Sequence, residues 1–201
     1  MKIICIGKNY ANHAKEMGSE IPKEPLFFLK PDSAILPKKH PFFIPDFSRE
    51  IHYELELLII IKKLGKHIGK KFASSYYSEI GLGIDFTARD LQNECKINGH
   101  PWEKAKAFDH SAVIGSTFYS INKLSEIHFE LKKNGNLVQQ GNANDMVFNF
   151  DDIIHHVSKF MTLKIGDIIF TGTPEGVGPV KIGDYLEGFL NGNKIIDLNI
   201  K

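Results

Sequence analysis

The order of apolar and polar positions is most regular between Ile51 and Ile61. From Ile51 to Leu57 charged or ring-bearing polar residues alternate with apolar ones, and from Leu57 to Ile61 every position is apolar. Alternation is the period of a strand with one buried face, and an unbroken apolar run marks a strand buried on both. A single strand over Ile51–Ile61, running from a half-exposed mouth into a core, is therefore predicted. Lys2–Gly7, Ile80–Phe86 and Asp167–Thr171 predict further strands. Two hairpins are predicted where Ser125–Leu131 and Leu137–Gln140 flank Asn134-Gly135, and where Tyr185–Leu190 and Lys194–Ile200 flank Asn191-Gly192.

Helical signals are fewer. Asn9–Met17 reads as a short helix with Asn9 as its cap and Gly18 as its stop. Residues 72–79 read as helical, as does Phe150–Met161. Thr87 opens another helix, with Asp90 three residues on in the manner of a capping box. Six of the nine prolines fall between Pro22 and Pro45, so that segment is predicted to be extended loop and edge strand. Many short strands, few helices and no regular βαβ alternation point to a β-rich α+β fold, not a doubly wound sheet.

Composition narrows the function classes. The 201 residues carry 25 Lys and Arg against 24 Asp and Glu, a net charge of +1, so no global pull draws the chain to nucleic acid or an anionic membrane. A hydrophobic fraction of 42% excludes a disordered chain and supports one domain over residues 1–201. The run Leu57–Ile61 is far below the roughly 20 residues of a membrane span. Ile3–Ile6 is too short for the apolar part of a signal sequence, so a cytoplasmic protein is expected. Cys5 and Cys95 read as small buried apolar residues.

The chemistry is carried by four stretches. On a continuous strand His52, Glu54 and Glu56 share one face, with the two Glu Cα atoms roughly 6.5–7 Å apart. Two carboxylates at that spacing converge on a cation or, without one, repel; the plain alternative is a solvated polar face. Asp85 closes an apolar strand before a helix, where ligands and ordinary turn residues are both found. Three carboxylates with no thiolate select Mg²⁺ or Mn²⁺ over zinc. His13 and Glu16, at i and i+3 of a helix, suit a general base or a plain surface pair. The loop Thr171-Gly172-Thr173-Pro174-Glu175-Gly176-Val177-Gly178 offers N–H groups and hydroxyls to an anion but lacks the ending of a nucleotide-binding loop. Lys62, Lys63, Lys66, Lys70 and Lys71 read as a solvated loop and Trp102 as a packing residue; Arg89 and Asp90 fit a plain exposed pair, and Lys106 is a surface residue by default, with a pocket cation as the alternative.

In this order and spacing the stretches Ile6-Gly7-Lys8-Asn9-Tyr10-Ala11-Asn12-His13, Phe28-Leu29-Lys30-Pro31, Tyr53-Glu54-Leu55-Glu56-Leu57, Asp85–Gln92, Lys106-Ala107-Phe108-Asp109 and Thr171-Gly172-Thr173-Pro174 resemble the fumarylacetoacetate hydrolase family, in its short acylpyruvase and oxaloacetate decarboxylase branch. The resemblance implies a mixed β-sandwich roll of the family's C-terminal domain type, assembled as a homodimer. It implies Glu54, Glu56 and Asp85 as ligands of Mg²⁺ or Mn²⁺, and His13, Glu16 and Lys106 as catalytic residues. Gln92, Thr173 and Arg89 would bind the substrate, a small 2-oxo acid. The implied reaction is cleavage of the C3–C4 bond by acylpyruvate hydrolysis or oxaloacetate decarboxylation. The alternative is keto–enol isomerisation of a 2-hydroxymuconate-type or oxaloacetate substrate. One departure stands out: many relatives carry Arg where this chain has Lys8, and Lys cannot make the bidentate carboxylate contact of Arg.

Overall fold

A computed structural model describes residues 1–18, 20–121 and 126–201. In chain order, β1 (Ile3–Gly7) leads to α1 (Ala11–Glu16), β2 (Leu26–Lys30), β3 (Ile51–Tyr53) and β4 (Leu55–Ile60). After α2 (Lys70–Ala73) come β5 (Glu79–Asp85), β6 (Thr87–Ala88), α3 (Arg89–Asn98) and α4 (Glu103–Lys106). The chain continues through β7 (Ala112–Ile114), β8 (Tyr119–Ser120), β9 (His128–Lys133) and β10 (Asn136–Asn142). It ends with α5 (Phe150–Phe160), β11 (Ile168–Phe170), β12 (Gly178–Pro179), β13 (Tyr185–Leu190) and β14 (Asn193–Asn199).

The largest sheet runs β2-β1-β11-β4-β5-β7, with β8 also paired to β5. Only β1 and β11 are parallel in it. A four-stranded antiparallel sheet, β10-β9-β13-β14, packs on one face through the main core, and β12-β3-β6 form a separate small sheet. This is the mixed, β-rich roll expected. The main core joins Leu55, Leu57 and Ile59 of β4 and Leu82 and Ile84 of β5 to Phe129, Leu131, Leu186 and Leu190 of the second sheet, and to Ile153, Ile154 and Val157 of α5. Ile3, Cys5, Leu58, Ile168 and Phe170 form a second cluster on the other face. Because the central strands are buried on both faces, β1 and the Leu57–Ile60 part of β4 read as unbroken apolar runs. Both cysteines are buried and free.

The prolines leave β2 at the sheet edge, as predicted. Both Asn-Gly hairpins form, with positive φ at Asn134 and Gly135 and at Asn191 and Gly192. Ser125, the predicted start of the first hairpin, lies outside the described residues. Asn149 caps α5 by accepting from Asp152 N at 3.0 Å. No helix among the described residues is long and apolar enough to cross a membrane.

Four local predictions are corrected. The helix expected at 72–79 is α2 followed by a 3-10 turn over Ser74–Tyr76, and Glu79 already belongs to β5. Asn9 does not cap α1, whose first flanking residue is Tyr10. Its amide instead donates to Phe148 O at 3.0 Å and Thr171 O at 2.7 Å while its carbonyl accepts from Phe148 N, pinning three segments together. Thr87 lies in β6, and α3 begins at Arg89; Asp90 turns to Ser48 Oγ and Arg49 N. The strand predicted over Ile51–Ile61 is broken at Glu54. β3 pairs with β6 and β12, whereas β4 pairs with β5 and β11, so the two halves belong to different sheets. At the break Leu55 N donates to the side chain of Gln139, at 2.9 Å.

Candidate active site

The break turns Glu54 inward beside Glu56. Asp85, at the end of β5, is bonded through its backbone N to Glu54 O at 2.8 Å. One carboxylate oxygen from each of the three lies within 4.8 Å of the others, and all three residues are buried. His52, expected on the same face, pairs with Glu50 at 2.8 Å and accepts weakly from Arg89, outside this cluster.

Cations surround the carboxylates. Lys106 Nζ lies 2.7 Å from Glu54 Oε2, 2.8 Å from Asp85 Oδ2 and 2.5 Å from Thr87 Oγ1. Arg89 reaches Glu54 Oε1 at 2.5 Å and Gln92 Oε1 at 2.6 Å. Lys30 Nζ sits 2.7 Å from Asp85 Oδ1 and is held by Ser111 Oγ and the carbonyls of Lys106 and Ser111. Lys106 and Arg89 are thus buried, correcting the surface readings of both. Burial raises the pKa of Glu54, but Lys106 and Arg89 outweigh it and hold the carboxyl well below its ordinary range. Glu56 moves the other way. Burial, then the charges of Asp85 and Glu54, push its pKa well up, against the opposing pull of Lys106 and the Gly172 N–H.

This donor set fits a hard divalent cation. It is all oxygen, it is buried, and its members crowd one another. Buried ion clusters gain little net stability, so their retention argues for chemistry at the site.

The carboxylates floor a narrow cavity that opens to solvent. Its walls include Lys8, His13, Phe28, Arg89, Gln92, Lys96, Trp102, Lys106 and Thr173. His13 is buried, and its Nδ1 lies 3.0 Å from Glu16 Oε2. Thr173 is positioned by Gln139, whose Nε2 donates to Thr173 Oγ1 at 2.8 Å and to Pro174 O at 3.0 Å. The Gly-rich loop spends two N–H groups on the protein's own carboxylates: Gly172 N donates to Glu56 Oε2 at 2.7 Å and Gly176 N to Glu16 Oε1 at 3.1 Å. Gly172 has φ of +101°, and a Cβ there would sit 2.6 Å from Asn9 Cβ, so glycine is required for this approach.

All nine residues implied by the resemblance therefore gather in one place. Trp102, read as a packing residue, also lines the cavity against Phe28, with ring centroids 5.9 Å apart. The sequence reading missed Lys30 and Gln139. Lys30 stood in a family motif without a role, and nothing local marked Gln139. The lysines of the 62–71 segment are exposed, as expected, and Lys70 pairs with Asp152.

Residues 2–200 match the fumarylacetoacetate (FAA) hydrolase C-terminal family. The chain belongs to this family. It is 44% identical over 193 residues to the bovine mitochondrial oxaloacetate tautomerase FAHD1, an alignment that covers 94% of this chain and 87% of that protein. It is 38% identical over 197 residues to oxaloacetate tautomerase YcgM from Escherichia coli, covering 96% and 90%. The fold superposes on a crystal structure of fumarylpyruvate hydrolase from Pseudomonas aeruginosa in complex with Mn²⁺ and pyruvate. That match has a TM-score of 0.92 and 33% identity, covering 100% of this chain and 89% of that one. Membership in the family makes the chain one of a group of enzymes acting on oxo acids.

Proposed function

We propose that the protein is a tautomerase that interconverts the enol and keto forms of a small 2-oxo acid of the oxaloacetate type. The observation that carries this is an imidazole, His13, braced by a carboxylate on the wall of a cavity floored by three more. The likeness to two oxaloacetate tautomerases supports it and moves isomerisation ahead of C3–C4 cleavage.

A divalent cation, Mg²⁺ or Mn²⁺, held by Glu54, Glu56 and Asp85, supplies Lewis-acid stabilisation of charge on the keto oxygen when bound. The rest of the task falls to the chain. Tautomerisation takes one proton off C3 and puts one on the C2 oxygen; the C3–H electron pair becomes the C2=C3 π bond and the C=O π pair moves to oxygen, so no bond between heavy atoms is cut. The Glu16 carboxylate accepts from His13 Nδ1–H and so leaves Nε2 as the basic nitrogen, which takes the C3 proton. Burial alone lowers the pKa of Lys106, but Asp85 and Glu54 outweigh it, and the net shift is upward. Lys106 thus stays a fixed cation that steadies developing negative charge. Arg89, Gln92 and Thr173 offer donors to the substrate carboxylate.

A second reading, hydrolysis of an acylpyruvate, is favoured by the likeness to fumarylpyruvate hydrolase. In it His13 takes its proton from water instead of from C3. One assay separates them. Metal-loaded protein that speeds the decay of enol-oxaloacetate absorbance, without releasing pyruvate, supports the tautomerase. Pyruvate release from acetylpyruvate with no effect on the enol supports the hydrolase. The assembly is proposed to be a homodimer, on the family resemblance, and a monomer mass in light scattering at micromolar protein overturns that.

A further inference from the structure

The basic residues on the cavity wall divide into two groups. Arg89, Lys106 and His13 are engaged by Glu54, Asp85 and Glu16. Lys8 and Lys96 line the same cavity, yet among the described residues neither has a carboxylate within ion-pair distance. The surplus positive charge of the site is therefore concentrated at these two side chains.

Their placement is specific. Arg89, Gln92 and Lys96 stand at i, i+3 and i+7 of α3, a single stripe facing the cavity. Lys96 lies about 10 Å along the helix axis from Arg89, and it is exposed where Arg89 is buried. Its ammonium is 5.9 Å from the centroid of the Trp102 ring, which also borders the cavity. Lys8 enters from the turn after β1 with φ of +58°, a backbone region that costs a lysine energy and is tolerated where the surroundings fix it. Burial, then Arg89 and Lys8, lower the pKa of Lys96 against the opposing pull of Glu54.

We propose that Lys96, assisted by Lys8, is the specificity-determining residue of this cavity: it binds the distal carboxylate of a four-carbon dicarboxylic 2-oxo acid and selects it over 2-oxo acids with a neutral far end. The inference rests on the preceding reading that the cavity takes a 2-oxo acid. The inner end of such a substrate meets Arg89, Gln92 and Thr173, and its outer end meets two point charges at the mouth. A neutral acyl group gains nothing from those charges.

The test compares two non-reacting four-carbon ligands in the presence of Mn²⁺. Malate carries the distal carboxylate, and 2-hydroxybutyrate replaces it with a methyl group. Binding is measured by calorimetry and by the fluorescence of Trp102, the sole tryptophan. The protein is expected to prefer malate by about tenfold or more, the scale of one charge-assisted contact. Lys96→Met is expected to abolish most of that preference while leaving 2-hydroxybutyrate binding unchanged, and Lys8→Met to reduce it by a smaller factor. An unchanged preference in Lys96→Met overturns the proposal, as does equal weakening of both ligands or no preference in the parent protein. Failure of the tautomerase reading looks different: the malate preference and its loss in Lys96→Met persist, but the parent protein does not accelerate enol–keto conversion.

Discussion

Lys30 Nζ lies 2.7 Å from Asp85 Oδ1, and both side chains are sealed from solvent. An edge strand thus delivers a cation into the middle of the carboxylate cluster, 55 residues away in sequence. Lys30→Met leaves Asp85 with one cation fewer and Ser111 Oγ with only its bond to the Lys106 carbonyl. The expected loss is about 3–5 kcal/mol of stability, the scale for breaking a buried pair from one side. Denaturant midpoints check it, and adding Asp85→Asn to the same variant should restore part of the loss.

Chelation should abolish activity, and saturating Mg²⁺ or Mn²⁺ should raise the thermal midpoint. At one hundred times the dissociation constant the gain is about 2.7 kcal/mol. Glu56→Gln should weaken cation binding without unfolding the protein, because it removes one of three crowded negative charges. Full activity in thoroughly chelated protein would falsify the metal-dependent reading.

His13→Ala should lower turnover by about 10²–10⁴-fold, the usual contribution of a positioned general base. Cation affinity should not change, since His13 lies outside the carboxylate set. Glu16→Gln should give a smaller loss of the same kind, because it orients the ring without meeting the substrate. Kinetics paired with a Mn²⁺ titration reads both quantities. A parallel drop in metal affinity would make His13 part of the ligand shell.

Acid stability should depend on Asp167, remote from the cavity. Burial raises its pKa, but bonds from Lys2 and from the backbone N–H of Lys164 and Lys2 outweigh that and hold it low. A depressed carboxyl contributes stability above its unfolded pKa, near 3.9, and loses it as pH falls through the folded value. Asp167→Asn should lower the midpoint at neutral pH and narrow its gap to the parent protein as pH falls toward 2. A constant gap across that range would mean that Asp167 acts through packing alone.

The legible parts of this protein are those whose cause is local. The Asn-Gly hairpins need only the backbone preferences of two residues, and β1 and the Leu57–Ile60 part of β4 announce their double burial through unbroken apolar runs. The three acids were readable because Glu54 and Glu56 alternate with apolar residues just before such a run and Asp85 closes another apolar strand. The break at Glu54 was hidden, because alternation looks the same whether or not the strand changes sheets partway. Arg89 and Lys106 read as surface residues because the acids that bury them arrive from other strands. Gln139 had no signal, since its value comes from Leu55, 84 residues earlier, and Thr173, 34 residues later.

The Gly-rich loop ties Glu56 on the floor of the cavity and Glu16 behind the base through two of its own N–H groups, four residues apart. Floor and base are therefore geared to the same short piece of chain. A shift of this loop displaces both carboxylates in step, so a substitution at Pro174 or Glu175, which meets neither reacting atom, should alter cation affinity and turnover together. Evolution acting on that loop would adjust the two properties as one.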